Sequence, residues 1–268
     1  MLTRFHKMQG LGNDFVVLNA RATPIAVTPE MAQALADRRT GVGCDQVILI
    51  GASDNADVSM RIWNADGSEV AACGNATRCV PVLVGRDCSI ETAAGILIAS
   101  LAGDGATVDM GLPRFGWNEI PLAYAMDTTI LPVGWGELEH PTAVSMGNPH
   151  VVFFVADIDA VPLGELGPTI EHDPLFPERI NVNIATILGD GHVRMGTWER
   201  GSGLTLACGT GACATFAAGR RLGKLAASVR IDLPGGTLNL AEREDGHLMM
   251  SGPAAAVFTG EIDLARFG

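Results

Sequence analysis

Short apolar runs recur along the chain, and Gly, Asn, Asp or Pro residues bound most of them. Runs of this length, with this punctuation, predict β-strands rather than helices. The clearest predicted strands cover residues 14–18, 46–50, 58–63, 96–101, 107–110, 151–155, 183–188 and 229–233. The apolar pattern therefore predicts a chain built mainly from short strands.

Helical patterns are fewer, and their ends mark them. A helix over 28–38 is predicted because Thr28 can act as the N-cap and Pro29 suits the first helical position. A second helix begins near Gly74, and Pro81 inside it should end or kink it early. Two further helices are predicted over 209–222 and, from a weaker pattern, over 161–170.

The order of elements repeats, because strands, a cysteine, a helix of small residues and more strands occur once in each half. Small residues along a helix let strands pack closely around it on all sides. We therefore predict an α+β fold of two pseudo-symmetric halves, each a curved mixed or antiparallel β-sheet wrapped around a central helix. The predicted N-terminal domain covers 1–116 and is joined by a C-terminal strand over 259–268, and the predicted C-terminal domain covers 117–258.

Two cysteines, one per predicted domain, begin nearly identical segments: Ala72-Cys73-Gly74-Asn75-Ala76 and Ala207-Cys208-Gly209-Thr210-Gly211-Ala212. A thiol at a helix N-terminus meets unpaired N–H groups and the positive end of the helix dipole, so we expect a thiolate to form more easily there. Matched thiols in the two halves suggest a pair that faces across a shared pocket. Such a pair would supply one base and one acid to opposite faces of a single carbon.

Composition restricts the class of partner. The 268 residues carry a net charge of −12, which argues against a nucleic-acid partner because phosphate binding needs clustered Lys and Arg. The first residues lack an apolar secretory core and no apolar run reaches the roughly 18 residues of a membrane span, so we expect no membrane partner and a cytoplasmic location. The six cysteines are expected to be reduced thiols rather than a disulfide framework. No Cys-x-x-Cys pair or histidine cluster accompanies them, so no metal site is expected.

Amide and charged side chains occur in Gly-rich, turn-like segments in both halves of the chain. These segments are 10–14, 43–46 and 64–69 in the first half, and 145–150, 178–181 and 198–203 in the second. An Arg can bind a carboxylate through two parallel hydrogen bonds, and a Glu or amide oxygen can accept from an ammonium group. The set therefore suits a ligand that carries both an ammonium and a carboxylate.

Six motifs follow one another along the chain: Lys7-Met8-Gln9-Gly10-Leu11-Gly12-Asn13-Asp14-Phe15, Asn64-Ala65-Asp66-Gly67-Ser68, Cys73-Gly74-Asn75, Met146-Gly147-Asn148-Pro149-His150, Glu199-Arg200-Gly201 and Ala207-Cys208-Gly209-Thr210-Gly211-Ala212. With this ordered set, the whole chain resembles the diaminopimelate epimerases, which interconvert the LL and meso forms of diaminopimelate. The resemblance implies a homodimer of two-domain subunits that works without pyridoxal phosphate, any other cofactor or a metal. It also implies a role in lysine and peptidoglycan precursor synthesis.

The resemblance assigns roles to individual residues. It implies that Cys73 and Cys208 are the catalytic pair, and that His150 and Glu199 tune the pKa values of these thiols. It implies a substrate-binding set of Asn13, Gln46, Asn64, Gly74, Asn75, Asn148, Asn181, Glu199, Arg200, Gly209 and Thr210. The candidates in that set for holding the distal, unreactive end of diaminopimelate are Asn64, Asn181, Glu199 and Arg200.

One position departs from the family pattern. The family usually has Gly where this chain has Ala76, which would be strained at a positive φ but favourable inside the first helical turn.

Two other functions remain open. A proline or hydroxyproline racemase of the same broad fold is the nearest alternative enzyme. The alternative of a different class is a thiol redox or binding protein in which Cys73 and Cys208 form a disulfide.

Overall fold

The computed structural model describes residues 2–71, 73–189 and 191–267. Ala72, which precedes Cys73 in the repeated segment, and the predicted domain ends at Met1 and Gly268 lie outside the described residues. The helices are α1 (Pro29–Ala36), α2 (Gly74–Val84), α3 (Leu163–Glu171) and α4 (Gly209–Arg221). The strands are β1 (Leu2–Gly10), β2 (Asn13–Asn19), β3 (Gln46–Gly51), β4 (Val58–Asn64), β5 (Glu69–Val70), β6 (Cys88–Thr92), β7 (Gly95–Ala102), β8 (Gly105–Asp109), β9 (Gly134–Trp135), β10 (Leu138–Glu139), β11 (Thr142–Ser145), β12 (Pro149–Phe154), β13 (Asn181–Gly189), β14 (His192–Glu199), β15 (Gly203–Leu204), β16 (Ser228–Leu233), β17 (Gly236–Glu242), β18 (Leu248–Pro253) and β19 (Ala255–Asp263).

The chain forms two compact units, divided after Asp109 and after Met250, so that the first unit contains both terminal parts of the chain. In the first unit β19 pairs antiparallel with β1, β1 antiparallel with β2, β2 parallel with β3, and β3 antiparallel with β4. Strand β4 also pairs antiparallel with β5 and parallel with β6, and β7 and β8 continue from β6 in antiparallel order. Helix α2 packs against β1, β7, β8 and β19, while Leu35 of α1 is buried in an apolar cluster with Val47 and Trp63.

The second unit repeats this order of pairing. Strand β11 pairs antiparallel with β12, β12 parallel with β13, and β13 antiparallel with β14. Strand β14 also pairs antiparallel with β15 and parallel with β16, which pairs antiparallel with β17. Helix α4 packs against β11, β12, β13 and β17, while Ile170 of α3 is buried with Phe153 and Ile184. The predicted α+β class, with a mixed sheet around one helix in each half, is confirmed.

Helix α2 continues past the proline that the sequence predicted would end or kink it early. The helix runs to Val84, three residues beyond Pro81, and ends where Gly85 adopts a φ of 80°. Proline lacks one N–H group, but its carbonyl still accepts, and the Gly85 N–H closes the last turn on the Pro81 carbonyl at 2.8 Å. Ala76 lies fully buried in the first turn of this helix, where alanine is a favourable residue.

The boundaries of units and strands differ in detail from those predicted. The predicted division between 116 and 117 lies seven residues after the observed one, and the predicted strand over 259–268 overlaps β19, which begins at Ala255 and pairs with β1. The domain boundaries given above remain our proposal for the domain organisation. Within the described part of the chain, no helix is both long enough and apolar enough to cross a membrane.

Candidate active site

Cys208 is the N-cap residue of α4 and follows the β14–β15 hairpin after three intervening residues. Its Sγ accepts a hydrogen bond from the Gly211 N–H at 3.3 Å, and Thr210 Oγ1 lies 3.5 Å from the same sulfur. Cys208 is buried, and so is Gly209, the first residue of the helix. The sulfur is therefore held at the start of α4 within reach of two donors.

The pKa of the Cys208 thiol is raised well above its ordinary value. Burial is the main cause, and the charge of the Glu199 carboxylate is the next; hydrogen bonds from Thr210 and the Gly211 N–H lower the pKa but do not compensate. The N–H groups at the helix start do favour the thiolate, as expected, but burial and the Glu199 charge outweigh them. The group is a thiol at neutral pH, next to a carboxylate that can accept a hydrogen bond from it.

Glu199 lies at the end of β14, in a turn that Asn181 holds in place. The Asn181 Oδ1 accepts from the Arg200 N–H at 2.9 Å, and its Nδ2 donates to the Pro149 carbonyl at 2.8 Å. The Arg200 guanidinium donates to the Glu178 carbonyl at 2.9 Å. Asn181 thus connects β13, β12 and the Glu199–Arg200 turn, and its predicted contact with substrate stays a prediction.

Two further residues, which the sequence did not reveal, hold the same turn. The Thr205 hydroxyl donates to Glu199 Oε1 at 2.5 Å. The buried Glu171 carboxylate, at the end of α3, accepts from the Gly201 N–H at 2.9 Å and from Trp198 Nε1 at 2.7 Å. No motif in the sequence marks either residue, because each acts through a contact that only the folded chain brings about.

His150 lies at the start of β12, and Asn148 lies just before this strand. Both side chains connect to Cys208 through Thr210. The His150 Nε2 lies 3.0 Å from Asn148 Oδ1, and Asn148 Nδ2 donates to Thr210 Oγ1 at 3.3 Å. Burial, with the nearby Arg200 charge, lowers the pKa of His150 to about 3, so its imidazole is neutral. Any tuning of Cys208 by His150 therefore acts through these two side chains rather than through a positive charge.

In the first unit, Cys73 is the N-cap residue of α2 and follows the β4–β5 hairpin, as Cys208 follows β14–β15. Asn13, the first residue of β2, donates from Nδ2 to Cys73 Sγ at 3.9 Å. The Thr77 N–H and hydroxyl both donate to the Cys73 carbonyl, at 2.9 and 2.8 Å. The structure therefore brings the predicted ligand Asn13 to the predicted catalytic thiol.

Gln46 and Asn64 form a second predicted pair in the first unit. They lie opposite one another in the β3–β4 ladder, and Gln46 Nε2 donates to Asn64 Oδ1 at 2.9 Å. Asn64 Nδ2 donates in turn to Ser68 Oγ at 3.1 Å. The Gln46 Oε1 is buried and accepts no hydrogen bond within the described residues, which leaves an acceptor suited to a ligand N–H group.

Gly74 and Asn75 form the first turn of α2, where both are buried. The Asn75 Oδ1 accepts from Arg78 Nη2 at 3.0 Å, so this oxygen is already used within the helix. Arg78 is itself fully buried, and its Nε donates to the Pro253 carbonyl at 3.3 Å. The sequence prediction missed Arg78, although a charged residue inside a small, apolar helix is a signal that could have been used.

The other four cysteines are all buried: Cys44, Cys79, Cys88 and Cys213. Burial raises the pKa of Cys44 and Cys88 to about 11 and that of Cys79 to about 12. Unlike Cys73 and Cys208, Cys79 and Cys213 lie inside α2 and α4 rather than at their starts, and Cys88 begins β6. This favours the interpretation of these cysteines as packing residues.

Comparison with known sequences gives one consistent result. The sequence profile of the diaminopimelate epimerase family matches residues 5–116 and 142–257. The chain is 64% identical to the diaminopimelate epimerase of Zymomonas mobilis subsp. mobilis, with all of both chains aligned. It is 60% identical to the diaminopimelate epimerase of Erythrobacter litoralis, with 98% of each chain aligned.

Solved structures show the same fold in more distant proteins. A hydroxyproline epimerase from Agrobacterium vitis aligns with a TM-score of 0.68 at 17% identity, covering 97% of this chain and 91% of that one. A probable proline racemase from Agrobacterium radiobacter aligns with a TM-score of 0.70 at 14% identity, covering 98% and 93%. At these identities the likeness shows the fold alone, whereas the sequence matches show the family. The chain therefore belongs to the diaminopimelate epimerase family and is an isomerase.

Proposed function

We propose that this enzyme interconverts LL- and meso-diaminopimelate in lysine and peptidoglycan precursor synthesis, using Cys73 and Cys208 as a two-base pair and no cofactor. The observation that supports the pair most directly is the repeated order of strand pairing. Each unit presents a cysteine as the N-cap residue of its central helix, separated by two or three residues from an equivalent hairpin. The full-length relatives at 64% and 60% identity support the substrate.

The difficult step is removal of an α-proton from an amino acid, because the resulting carbanion is poorly delocalised. Negative charge develops on the substrate carboxylate, and helix N-termini supply N–H donors and the positive end of a dipole to such charge. The first residues of α2 and α4, Gly74-Asn75 and Gly209-Thr210, are the groups we assign to this task. General acid–base catalysis supplies about 10²- to 10⁴-fold, so carboxylate stabilisation and water exclusion supply the remainder.

The two thiols exchange proton states in each turnover. In one direction a Cys73 thiolate accepts the α-proton from one face, and the Cys208 S–H donates a proton to the other face of the same carbon. The reaction ends with Cys73 as thiol and Cys208 as thiolate, which is the starting state for the reverse direction. The raised pKa of Cys208 supports its role as the acid in the resting enzyme.

The distal amino-acid end of diaminopimelate needs its own ligands. We assign these to Asn64, Asn181, Glu199 and Arg200, together with the remaining members of the binding set, Asn13, Gln46 and Asn148. The buried, unpartnered Gln46 Oε1 supports this assignment within the described residues, because it can accept from a substrate ammonium group. Proline and its hydroxylated form lack a second charged end and would leave such ligands unused.

The same proposal covers the cellular setting. The enzyme acts in the cytoplasm as a homodimer, with the amino acid as its partner and no nucleic acid or membrane. The net charge of −12 supports the exclusion of nucleic acid, since phosphate recognition requires clustered positive charge.

Proton exchange in D₂O tests the proposed function. Purified enzyme is incubated separately with LL-diaminopimelate, L-proline and trans-4-hydroxy-L-proline, and loss of the α-proton signal is followed by NMR. We expect exchange and epimerisation of diaminopimelate only, with Cys88→Ser as a matched cysteine control that retains both. Exchange of proline at a comparable rate, or a stable oxidised form that alone is active, would contradict the proposal.

A further inference from the structure

We propose that Asn183 is a positioning residue that orients a one-way chain of hydrogen bonds, through His150, Asn148 and Thr210, to the sulfur of Cys208. The inference rests on the proposed catalytic role of Cys208. All of these residues belong to the second unit, and neither the family motifs nor the sequence pattern singled out Asn183.

The direction of the chain is set at a backbone carbonyl. Asn183 is fully buried on β13, and its Nδ2 donates to the Val151 carbonyl at 3.1 Å. Since a carbonyl can only accept, the amide group cannot be turned around without placing two oxygens in contact. The Thr197 hydroxyl, opposite on β14, donates to Asn183 Oδ1 at 3.1 Å and holds the same orientation.

The fixed amide determines the tautomer of His150. The Asn183 Nδ2 also lies 3.2 Å from His150 Nδ1, which must therefore present its lone pair. The ring is buried and faces the positive charge of Arg200, so it stays neutral and carries its single proton on Nε2. That proton is donated to Asn148 Oδ1 at 3.0 Å.

The remaining two links follow from the same reasoning. With Asn148 Oδ1 facing His150, its Nδ2 faces Thr210 and donates to Oγ1 at 3.3 Å. The Thr210 oxygen accepts that bond, so its hydroxyl proton is available for the Cys208 Sγ at 3.5 Å. Every donor from Asn183 onward therefore points toward the sulfur.

This chain gives Cys208 a contact that favours its thiolate, and Glu199 gives it one that favours its thiol. The donors facing the sulfur are the Thr210 hydroxyl and the Gly211 N–H, while the charged group facing it is the Glu199 carboxylate. A residue that acts as acid in one direction and base in the other needs both states to be accessible. Asn183 sets the first contact without touching the substrate.

The test is the tautomer of His150 together with proton exchange. Long-range ¹H–¹⁵N NMR of the wild-type enzyme should show a proton on His150 Nε2 only, unchanged between about pH 5 and 8. In Asn183→Asp the carboxylate can only accept, so the proton should move to Nδ1. Exchange of the diaminopimelate α-proton should then fall by about 10- to 100-fold, as expected for loss of a hydrogen bond to a charged group. Asn239→Asp, at an exposed position of β17, is the charge control.

Several outcomes would overturn the inference. In the wild-type enzyme, they are a His150 protonated on Nδ1 or a His150 imidazole that titrates between about pH 5 and 8. In the Asn183→Asp variant, they are a His150 that keeps the wild-type tautomer or an α-proton exchange that does not fall. Thr197→Val provides a second variant if Asn183→Asp does not fold, and it should weaken exchange in the same direction. Full exchange by Cys208→Ser alongside the expected tautomer would instead contradict the proposed function, while the direction of the chain would stand.

Discussion

At the scale of single residues, the state of Cys208 depends on contacts of opposite sign. Burial and the Glu199 carboxylate favour the thiol, whereas the Gly211 N–H and the Thr210 hydroxyl favour the thiolate. A sequence motif shows that a cysteine begins a helix, but it does not show how deeply that helix start is buried. The motif therefore revealed the position of the thiol and the donors that favour its thiolate, but not the burial and the carboxylate that outweigh them.

Glu199→Gln should lower the pKa of Cys208, because it removes the nearby negative charge that raises this pKa. We expect a larger thiolate fraction at a given pH, because one of the causes that raise this pKa is removed. The check is the pH dependence of Cys208 alkylation by iodoacetamide, followed by mass spectrometry of the peptide that carries it.

The control for that measurement is Glu244→Gln, which removes an exposed carboxylate of the same unit. It should leave the alkylation profile unchanged. A profile in Glu199→Gln that stays in place or moves to higher pH would show that the carboxylate does not govern the thiol.

The predicted binding residues show the same division between what sequence can and cannot reveal. Asn13, Gln46 and Asn181 lie at strand ends and were predictable as polar residues in Gly-rich, turn-like segments. Thr205, Asn183 and Glu171 were not predictable, because each contacts its partner only through strand register or the packing of α3. Motifs mark polar residues at strand ends more readily than they mark the residues that form the supporting contacts.

At the scale of secondary-structure elements, the first turn of α4 is packed as closely as its sequence allows. A Cβ atom added at Gly211 would lie 2.6 Å from Asn183 Oδ1 and 3.2 Å from both Cys208 Cβ and Thr197 Oγ1. Because residue 211 is a glycine, α4 can lie close to β13 and β14. Its N-cap sulfur, Cys208 Sγ, then lies within reach of the hydrogen bonds described above.

Gly211→Ala should therefore destabilise the enzyme by about 1–3 kcal/mol through overpacking, although alanine is the better helix former. Urea unfolding measures the change. Gly164→Ala in the first turn of α3 is the matched control, since its Cβ would only reach ordinary contact with Leu204 at 3.4 Å, and it should be neutral or slightly stabilising. Equal stability of the two variants would contradict the packing account.

Helix α2 is tied to its unit by a buried guanidinium. Arg78 reaches the Pro253 carbonyl at the end of β18 and the Asn75 side chain, and Gly10 of β1 leaves room for Nη2. Arg78→Met should cost about 2–4 kcal/mol in urea unfolding, because buried carbonyl and amide acceptors lose their donor.

The exposed variant Arg39→Met is the comparison for Arg78→Met and should change stability by less than about 0.5 kcal/mol. If Arg78→Met proved as stable as Arg39→Met, the guanidinium would have no structural role in positioning α2.

The starts of helices were more predictable than the full set of strands. Thr28 caps α1 by accepting from the Met31 N–H at 3.2 Å, as its position before Pro29 predicted. Strand β14 was missed because charged and small residues interrupt its apolar positions, and it carries Glu199 at its end. A strand with one exposed face carries polar residues at alternate positions, so a search for continuous apolar runs does not detect it.

At the scale of the whole molecule, the repeated order of strand pairing explains why one chain carries two matched thiols. The duplication was visible in the sequence as two cysteine segments 135 residues apart. The parallel pairs β2–β3 and β12–β13 were not visible, because the sequence pattern shows that a strand exists but not which strand lies beside it.

The most direct measurement compares Cys73→Ser with Cys208→Ser in D₂O, starting once from LL- and once from meso-diaminopimelate. Each variant should lose epimerisation by at least about 10²-fold, since an alcohol is a far weaker general acid–base group than a thiol at neutral pH. Residual α-proton exchange should be impaired from opposite stereoisomers in the two variants. Full epimerisation by either variant, or identical impairment of both from the same stereoisomer, would contradict the assignment of one thiol to each face of the carbon.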